Sequence, residues 1–239
     1  MRIHFLIKIL ISVAFTFGFT KSSQVEDILN LHLKAVGQKN KENLGVVKQE
    51  GVYSLGGMID VRFICYHYNG SLRLEYHYEG EKKPTVTVYT PDTAWKTTPW
   101  DLKGVTSLSK YELNRAREWA QLTGVIANSK ILGYELTFDE KRNSKSKDLV
   151  ITVNKPDMVT KIHAWINPEN HLVSKTQMVE WYGAKEQVTT TTYSDYENIN
   201  GVMIAKSIVE TRNGIEGDKI TINNIEAGLK FKKKLFKKP

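Results

Sequence analysis

The alternation of apolar and polar side chains around one turn constrains the fold of this chain most. Asn69-Gly70 separates two runs rich in β-branched and aromatic residues, and this dipeptide is the strongest short hairpin signal. If Tyr68 pairs with Ser71, the residues of the two strands divide into one apolar and one amphipathic face. The apolar face then carries Val61, Phe63, Cys65, His67, Leu72, Leu74, Tyr76 and Tyr78. The pattern predicts a hairpin whose apolar face lies against a core or a cavity.

Further strand patterns follow at regular spacing, separated by Gly, Pro and Asn turn signals. Strands are predicted at about 85–90, 94–97, 132–140, 147–154, 159–166, 171–181, 186–196, 203–212 and 217–227. Helices are predicted over 24–36 and 109–122, each from apolar residues at helical spacing behind a capping-box match. The chain therefore belongs to the mainly β (α+β) class, as one antiparallel meander. A sheet of this many strands must curl, and it then either forms a sandwich or leaves a pocket closed by helices.

The first twenty residues have the layout of a secretory signal peptide. Arg2, His4 and Lys8 form a basic start, and an eleven-residue apolar run follows over 9–19. That run is too short for a membrane span, which needs about 20 apolar residues. Small residues at 18 and 20 predict cleavage near Thr20, with no cysteine nearby to carry a lipid anchor. We expect an exported chain in which residues 21–239 form a single domain.

The net charge of +8 is concentrated at the end of the chain. Without Arg2, Lys8 and the lysines between Lys230 and Lys238, the formal charge of the remaining residues is near zero. The lysines form either a solvated terminus or a surface that attracts an anionic envelope membrane or a partner protein. The apolar residues among them, such as Phe231 and Phe236, predict a segment docked on the body. A basic stripe interleaved with aromatic residues is missing from the sequence, so we expect no nucleic-acid partner.

No catalytic or cofactor-binding motif occurs in the sequence, which has no HExxH, GxSxG, Walker A, GxGxxG or CxxC pattern. His67 and His77 fall on opposite faces of the predicted hairpin, so they should not share a metal ion. Cys65, the single cysteine, fits a buried small apolar residue. We expect no catalytic residues, no metal and no cofactor. The five tryptophans and eleven tyrosines fit either a large β core or the wall and rim of an apolar cavity.

Several motifs, in order along the chain, carry a family resemblance. Each is given with the family pattern that it resembles: Ile28–Gly37 ("His-x-x-Ala-x-Gly"), Ser71–Glu75 ("Met-Arg-Met-Glu"), Thr93-Ala94-Trp95 with Pro99 ("Gly-Trp-x-x-x-Pro"), Trp165–Lys175 ("Ile-Asp-Pro…Leu-x-x-Lys"), Tyr193–Met203 ("Tyr-x-Asp-Tyr…Asp-Gly-Val") and Leu235–Pro239 ("Leu-Phe-x-x-Pro"). This chain has leucine for both methionines, Ala94 for the glycine, and Asn167 and Asn200 for the aspartates of these patterns. This ordered set resembles LolA-like carriers, especially the outer-membrane lipoprotein-sorting-like proteins of Bacteroidetes-type bacteria. The resemblance spans nearly all of residues 21–239.

The resemblance implies a half-open antiparallel β-barrel, with an N-terminal helix and a lid helix covering its concave face. It also implies a monomeric periplasmic carrier of lipids or acylated lipoproteins, active in outer-membrane biogenesis. We predict that Val61, Phe63, Leu72, Leu74, Tyr76, Tyr78, Val86 and Val88 line the cavity, with Trp95 and Trp119 at the lid. The alternatives are an envelope sensor or interaction module on the same scaffold, and an envelope enzyme without a recognisable motif.

Overall fold

An antiparallel sheet curls around most of the helices in the computed structural model, which describes residues 21–101, 104–156, 161–182 and 185–239. The predicted signal peptide lies outside the described residues. The strands are β1 (Val46–Leu55), β2 (Ile59–Tyr68), β3 (Ser71–His77), β4 (Thr85–Tyr89), β5 (Ala94–Thr97), β6 (Val105–Thr106), β7 (Glu135–Phe138), β8 (Leu149–Asn154), β9 (Lys161–Ile166), β10 (Val173–Tyr182), β11 (Lys185–Ile199), β12 (Val202–Arg212) and β13 (Ile215–Leu229). The α-helices are α1 (Lys21–Ala35), α2 (Lys110–Trp119), α3 (Gly124–Ala127), α4 (Ser129–Leu132) and α5 (Glu140–Asn143). Short 3₁₀ helices occupy Gln38–Leu44 and Lys233–Leu235.

The strand order is that of a meander that starts and ends in the middle of the sheet. The chain runs outward from β1 to β6, crosses over through α2–α4 to β7 at the other edge, and returns inward to β13, which pairs with β1. Within the described residues no ladder joins the edge strands β6 and β7, so the curled sheet is half open. The predicted fold class, a half-open antiparallel barrel with few helices, is confirmed.

The β2–β3 hairpin has the predicted register. Tyr68 pairs with Ser71 and Phe63 with Tyr76, across a turn in which Asn69 and Gly70 both have positive φ. Because side chains alternate along each strand, Phe63, Cys65, Leu72 and Leu74 share the concave face of the sheet.

The helices differ from their predicted bounds at several ends. Helix α1 begins at Lys21, so Ser23 lies inside it and is not its N-cap as the capping-box match predicted. Ser109 does cap α2 in a capping box with Glu112, but α2 ends at Trp119 and a new helix starts at Gly124. The strand predicted over 132–140 is shorter, because its first residue closes α4 and β7 starts at Glu135.

Glycine at position 51 permits a close approach in the centre of the sheet. A Cβ atom at this position would lie 2.0 Å from the backbone oxygen of Thr221 and 2.8 Å from the Phe63 ring. The β1–β13 pairing shifts register between Glu50 and Gly51, which is the irregularity of a β-bulge. The bulge lies where β1, the first strand of the meander, pairs with β13, the last strand.

The C-terminal segment docks on the convex face of the sheet, as its apolar residues predicted. Phe236 is buried with Val88 and Trp95, and the Phe231 ring stacks on Tyr68 with centroids 4.4 Å apart. A guanidinium N–H of Arg73 donates to the carbonyl of Leu235 at 3.0 Å. The segment is therefore fixed to the outside of strands β2–β5.

Candidate ligand-binding cavity

A cavity of about 700 Å³ lies on the concave side of the sheet, beneath the covering helices. Its wall is formed by strands β1–β3 on one side and β9–β13 on the other, and α2 and α3 lie across it. This volume falls within the range of protein cavities that hold small ligands, about 300–1,000 Å³. The cavity is therefore the first candidate for a functional site in the described part of the chain.

The β2–β3 hairpin supplies an apolar wall to the cavity. Phe63, Leu72 and Leu74 pack here with Ile222 of the central strand β13. Ala116 of α2 and Ala120, which directly follows the helix, also belong to this buried cluster, and their small side chains let the helix lie close to the hairpin. Trp119 of the same helix packs beside them and faces the cavity.

The opposite wall mixes apolar residues with hydroxyl groups. Val173 and Met178 of β10 line the cavity together with Thr189 and Tyr196 of β11. The hydroxyl of Tyr196 donates to the backbone oxygen of Val173 at 2.8 Å, and burial raises the pKa of this phenol. Such groups stay neutral at physiological pH, so this wall offers hydrogen bonds without charge.

One end of the cavity is closed and the other is partly open to solvent. At the closed end, His32 and Val36 of the α1 region are buried together with Thr123 and Ile204. The Nδ1 atom of His32 lies 2.9 Å from the carbonyl of His171, and burial lowers the pKa of this imidazole. The other end lies near Glu180 of β10, Gln187 of β11 and the β12–β13 turn, where the lining residues are half-buried or exposed.

A network of ion pairs and hydrogen bonds ties the open end together. The hydroxyl of Tyr53 donates to Asp218 at 2.6 Å, and the backbone N–H of Gly56 donates to the same carboxylate at 3.1 Å. Arg212 is paired with Glu210 at 2.8 Å and with Asp218 at 3.7 Å. The β1–β2 turn is thereby bound to the β12–β13 hairpin.

Helix α2 is held over the cavity by an ion pair at each end. In its first turn, Glu112 accepts from the ammonium of Lys96 on β5 at 2.6 Å. Near its last turn, Glu118 accepts from the ammonium of Lys155 at 2.6 Å and from the hydroxyl of Tyr134 at 2.5 Å. Lys155 is nearly buried, so its charge depends on Glu118 for compensation. The helix therefore has the position of the predicted lid.

Five of the ten predicted lining residues lie in the cavity wall, and two more share its face. The five are Phe63, Leu72, Leu74, Tyr76 and Trp119. Val61 and Tyr78 lie on the concave face of the same hairpin but outside the cavity, where the Tyr78 ring meets Trp100 edge-on at 5.6 Å. Their role toward a ligand stays a prediction.

The placement of Val86, Val88 and Trp95 in the cavity is wrong. In the β3–β4 ladder Val86 pairs with Glu75 and Val88 with Arg73, which puts both valines on the convex face. Trp95 pairs with Val88 and faces the same way. All three are buried in one cluster with Phe236 of the C-terminal segment. The sequence predicts the strand at 85–90, but which of its side chains face the cavity depends on the conformation of the 78–84 connection, which the alternation alone does not fix.

Much of the cavity wall comes from β12 and β13, two predicted strands whose residues were not among the predicted lining residues. Ile204 and Ile208 of β12 and Ile220 and Ile222 of β13 all line it. Ile208 pairs directly with Ile220, and the others follow at even spacing on the same strands. The period-two pattern could have identified this wall. The polar residues Tyr53, Arg115 and Lys155 carry no comparable sequence signal.

Cys65 and His67 form a buried pair in which both side chains are neutral. The Cys65 sulfur lies 3.2 Å from the His67 Nε2 atom, and both residues line the cavity. Burial raises the pKa of the thiol and lowers the pKa of the imidazole to about 4, so both groups are neutral at physiological pH. A nucleophilic cysteine needs a thiolate, which this environment disfavours. The cysteine is buried, as predicted.

Thr152, His163 and Asp139 form a cluster that does not have the geometry of a catalytic triad. The Thr152 hydroxyl and an Asp139 oxygen lie 3.0 and 3.1 Å from the same His163 nitrogen, Nδ1. A triad needs the nucleophile and the acid on different ring nitrogens. Burial opposes ionisation of Asp139, but hydrogen bonds and charge from Arg142 outweigh it and lower the pKa of Asp139. The cluster fits a structural role joining α5 to β8 and β9.

The described residues contain no group of three or more His, Cys, Asp or Glu side chains placed to hold a metal ion. Phe63 pairs with Tyr76, so these two residues share a face. His67 lies four residues after Phe63, on that face, whereas His77 directly follows Tyr76 and lies on the opposite one. Across the described ranges, no helix has the length and apolar composition needed to cross a membrane.

Three solved structures have a fold similar to that of this chain. A LolA superfamily protein from Nitrosomonas europaea superposes with a TM-score of 0.59 at 13% identity, over 90% of this chain and 97% of that one. A domain described as an outer-membrane lipoprotein-sorting protein, from Vibrio parahaemolyticus, gives 0.60 at 15% identity, over 89% and 97%. A DUF1329 family protein from Desulfovibrio piger gives 0.54 at 15% identity, over the same shares.

No family model matches the sequence, and no curated protein matches it by sequence. The class defined by the curled sheet and its helix-covered cavity is the LolA-like half-open barrel. The chain has this fold, as the ordered motifs predicted.

Proposed function

We propose that the protein is an exported carrier that holds the acyl chains of a lipid or a lipoprotein in its cavity. The observation that carries this proposal is the shape of the site: an apolar wall, a closed inner end and a partly open outer end. Each methylene group moved from water into such a wall gains about 0.8 kcal/mol, so binding requires no chemical step. The neighbouring LolA superfamily and lipoprotein-sorting structures support the same ligand class.

The mechanism rests on helix α2 as a lid. Its ion pairs with Lys96 and Lys155 join it to β5 on one side and to the end of β8 on the other. A partner or membrane that competes for the acyl chains would accept them once these contacts separate. We propose that residues 21–239 act as one domain and as a monomer in the periplasm.

The first test is to identify what the native protein contains. The full chain is expressed with its own leader and purified without detergent, and an organic extract is examined by lipid mass spectrometry. We expect an acyl lipid or acylated peptide at near one equivalent. A lipid-free protein that also fails to bind a fluorescent fatty acid would contradict the carrier function.

Matched variants locate the binding site. Phe63→Glu puts a charge into the apolar wall, whereas Ile59→Glu puts it at an exposed position on the same strand and face. We expect the first to lose the fluorescent fatty acid and the second to keep it. Ile208→Glu, at a half-buried position in the opposite wall, gives the same test if Phe63→Glu does not fold. Unchanged binding in both folded cavity variants would place the ligand elsewhere.

The lysine-rich segment supports a second proposal, that the protein docks on an anionic membrane. All six lysines from Lys230 to Lys238 are exposed, while Phe236 and the Arg73 contact hold the segment in place. Each lysine near an anionic surface contributes about 1 kcal/mol, and this attraction weakens with salt.

Co-sedimentation tests the docking surface with vesicles of phosphatidylglycerol and phosphatidylcholine, against phosphatidylcholine alone. We expect binding to the anionic vesicles at low salt, and its loss when the six lysines are changed to glutamine. Equal sedimentation of the wild-type protein and this variant would exclude docking by these lysines. Capture of an envelope protein by the wild-type chain without vesicle binding would instead favour the interaction-module alternative.

A further inference from the structure

Arg115 differs from the other two cations of the cavity wall. Lys155 and Arg212 are each paired with a carboxylate, whereas Arg115 forms no ion pair with any carboxylate of the described residues. Its guanidinium carbon lies 4.7 Å from the centre of the Trp119 ring, and one N–H group reaches the Tyr111 hydroxyl at 3.4 Å. A guanidinium has five N–H donors, so several remain for a further acceptor.

The position of Arg115 directs these donors toward the cavity. Tyr111 and Trp119 lie one turn before and after it on α2, and all three residues line the cavity. Burial raises the pKa of Tyr76 on the facing hairpin, and the positive charge of Arg115 opposes that rise. Tyr76 also packs against the buried cluster that contains Ala116, the residue after Arg115 on α2, and both Tyr76 and Arg115 line the cavity. The Tyr76 hydroxyl also forms no hydrogen bond within the described part of the chain, so it is a second available donor.

The carboxylates around this position do not use Arg115. Asp218 accepts from Tyr53 and Gly56, and Glu210 is paired with Arg212. Glu118 is paired with Lys155, and Glu180 completes the four carboxylates of the wall. An unpaired guanidinium beside a free phenol, at the partly open end of an apolar cavity, matches the requirement of one anionic group at the end of an acyl chain.

Building on the carrier function proposed above, we propose that Arg115 and Tyr76 bind the anionic headgroup of the lipid whose chain fills the cavity. The headgroup is a carboxylate or a phosphate, since both accept paired hydrogen bonds from a guanidinium. The protein then selects acyl lipids with a terminal anion over uncharged lipids of equal chain length. Arg115 is a specificity residue, and the apolar wall supplies the affinity common to both kinds of ligand.

The test compares ligands that share one chain and differ in headgroup. Oleate, oleoyl lysophosphatidic acid and the uncharged oleyl alcohol each displace a neutral fluorescent probe from the wild-type protein. We expect the anionic ligands to bind about tenfold more tightly than the alcohol, a modest effect for a charge-assisted hydrogen bond at a half-buried site. Comparing oleate with the phosphate ligand identifies which anion the site prefers.

Variants then assign the preference to Arg115. Arg115→Gln should bind all three ligands about as well as the wild type binds the alcohol, and Arg115→Lys should keep part of the preference. Arg62→Gln removes one guanidinium from the convex face and should change nothing, because Arg62 is largely exposed and paired with Glu50.

The outcomes separate the two proposals. If the wild type binds the alcohol as tightly as the anions, the headgroup inference is wrong and the carrier function stands. If no ligand displaces the probe, the carrier function itself fails. If Arg115→Gln keeps the full preference for anions, Arg115 does not read the headgroup.

Discussion

The two faces of strands β2–β5 are both apolar and both buried, but they are covered in different ways. On the concave face, Phe63 and Leu74 lie under helix α2, which leaves a space of about 700 Å³ beside them. On the convex face, Val88 and Trp95 form one buried cluster with Phe236 of the C-terminal segment. Burial by itself therefore does not identify a ligand site. Whether the covering element fills the surface or bridges over it decides that.

The largest expected effect is on the convex face. Trp95→Ala should lower the free energy of unfolding by about 3–5 kcal/mol, because it leaves a void in a filled core. Trp95 is 3% exposed, whereas Trp100 is 60% exposed, so Trp100→Ala is the matched control with a change within about 0.5 kcal/mol. Urea denaturation measures both. Loss of acyl-probe binding in folded Trp95→Ala would contradict the conclusion that only the concave face binds the ligand.

A titratable group buried in the concave wall makes stability depend on pH. His67 is neutral when folded because burial lowers its pKa from 6.5 to about 4. The unfolded chain therefore binds the proton at a higher pH than the folded chain does. Stability should fall as pH decreases from 6.5 toward 4, by about 3 kcal/mol for this group.

Comparing the wild type with His67→Gln isolates this contribution. The variant should lose less stability over the same pH range, although the lowered pKa values of His32 and His163 still contribute in both proteins. Urea denaturation at several pH values gives the two slopes. Equal slopes would show that His67 is not held neutral in the concave wall.

A pair of leucines tests whether the concave face borders an open space. Leu74→Ala extends an existing cavity and should cost about 2 kcal/mol of stability, the lower end for this substitution. Leu44→Ala creates an enclosed void in a core of Val47, Val202 and Ile204, and should cost more. Only Leu74→Ala should also weaken binding of the acyl probe. Equal costs and equal binding in the two variants would contradict this assignment.

The smallest expected effect concerns the attachment of the C-terminal segment. Arg73→Gln removes the hydrogen bond to the Leu235 carbonyl together with the ion pair to Glu75, and should cost about 1 kcal/mol. Proteolysis near the C-terminus should become faster, while acyl-probe binding stays the same. Arg62→Gln, at an exposed position on the neighbouring strand, is the control. Unchanged proteolysis would mean that the aromatic contacts alone hold the segment.

Local patterns predicted the hairpin well because its turn and its alternation agree. Asn69-Gly70 set the pairing of Tyr68 with Ser71, and that pairing fixes the face of every residue in β2 and β3. The same reasoning failed for β4, which follows a longer connection, and Val86 and Val88 were placed on the wrong face. Trp95, which was predicted at the lid, pairs with Val88 and therefore lies on the convex face as well. When two strands are joined by a loop of undefined turn type, the sequence does not determine which residues pair across them.

The charged end of the cavity could not be predicted at all. Tyr53, Arg115 and Asp218 belong to three elements far apart in the chain, and no spacing rule brings them together. They meet because β1 pairs with β13 and because α2 crosses the concave face between the two edge strands. The absence of an acid partner for Arg115 within the described residues is likewise a property of that assembly.

Local chemistry alone therefore settled the antiparallel class, the β2–β3 hairpin, the capping of α2 by Ser109 and the docking of the C-terminal segment. These features depend on turn residues, alternation and apolar spacing, whose energies act over a few neighbouring positions. Which apolar face borders a cavity and which is filled was decided only by the tertiary structure. The physical reason is that the volume of a cavity is set by the distance between the sheet and the element that covers it, and no local sequence pattern encodes that distance.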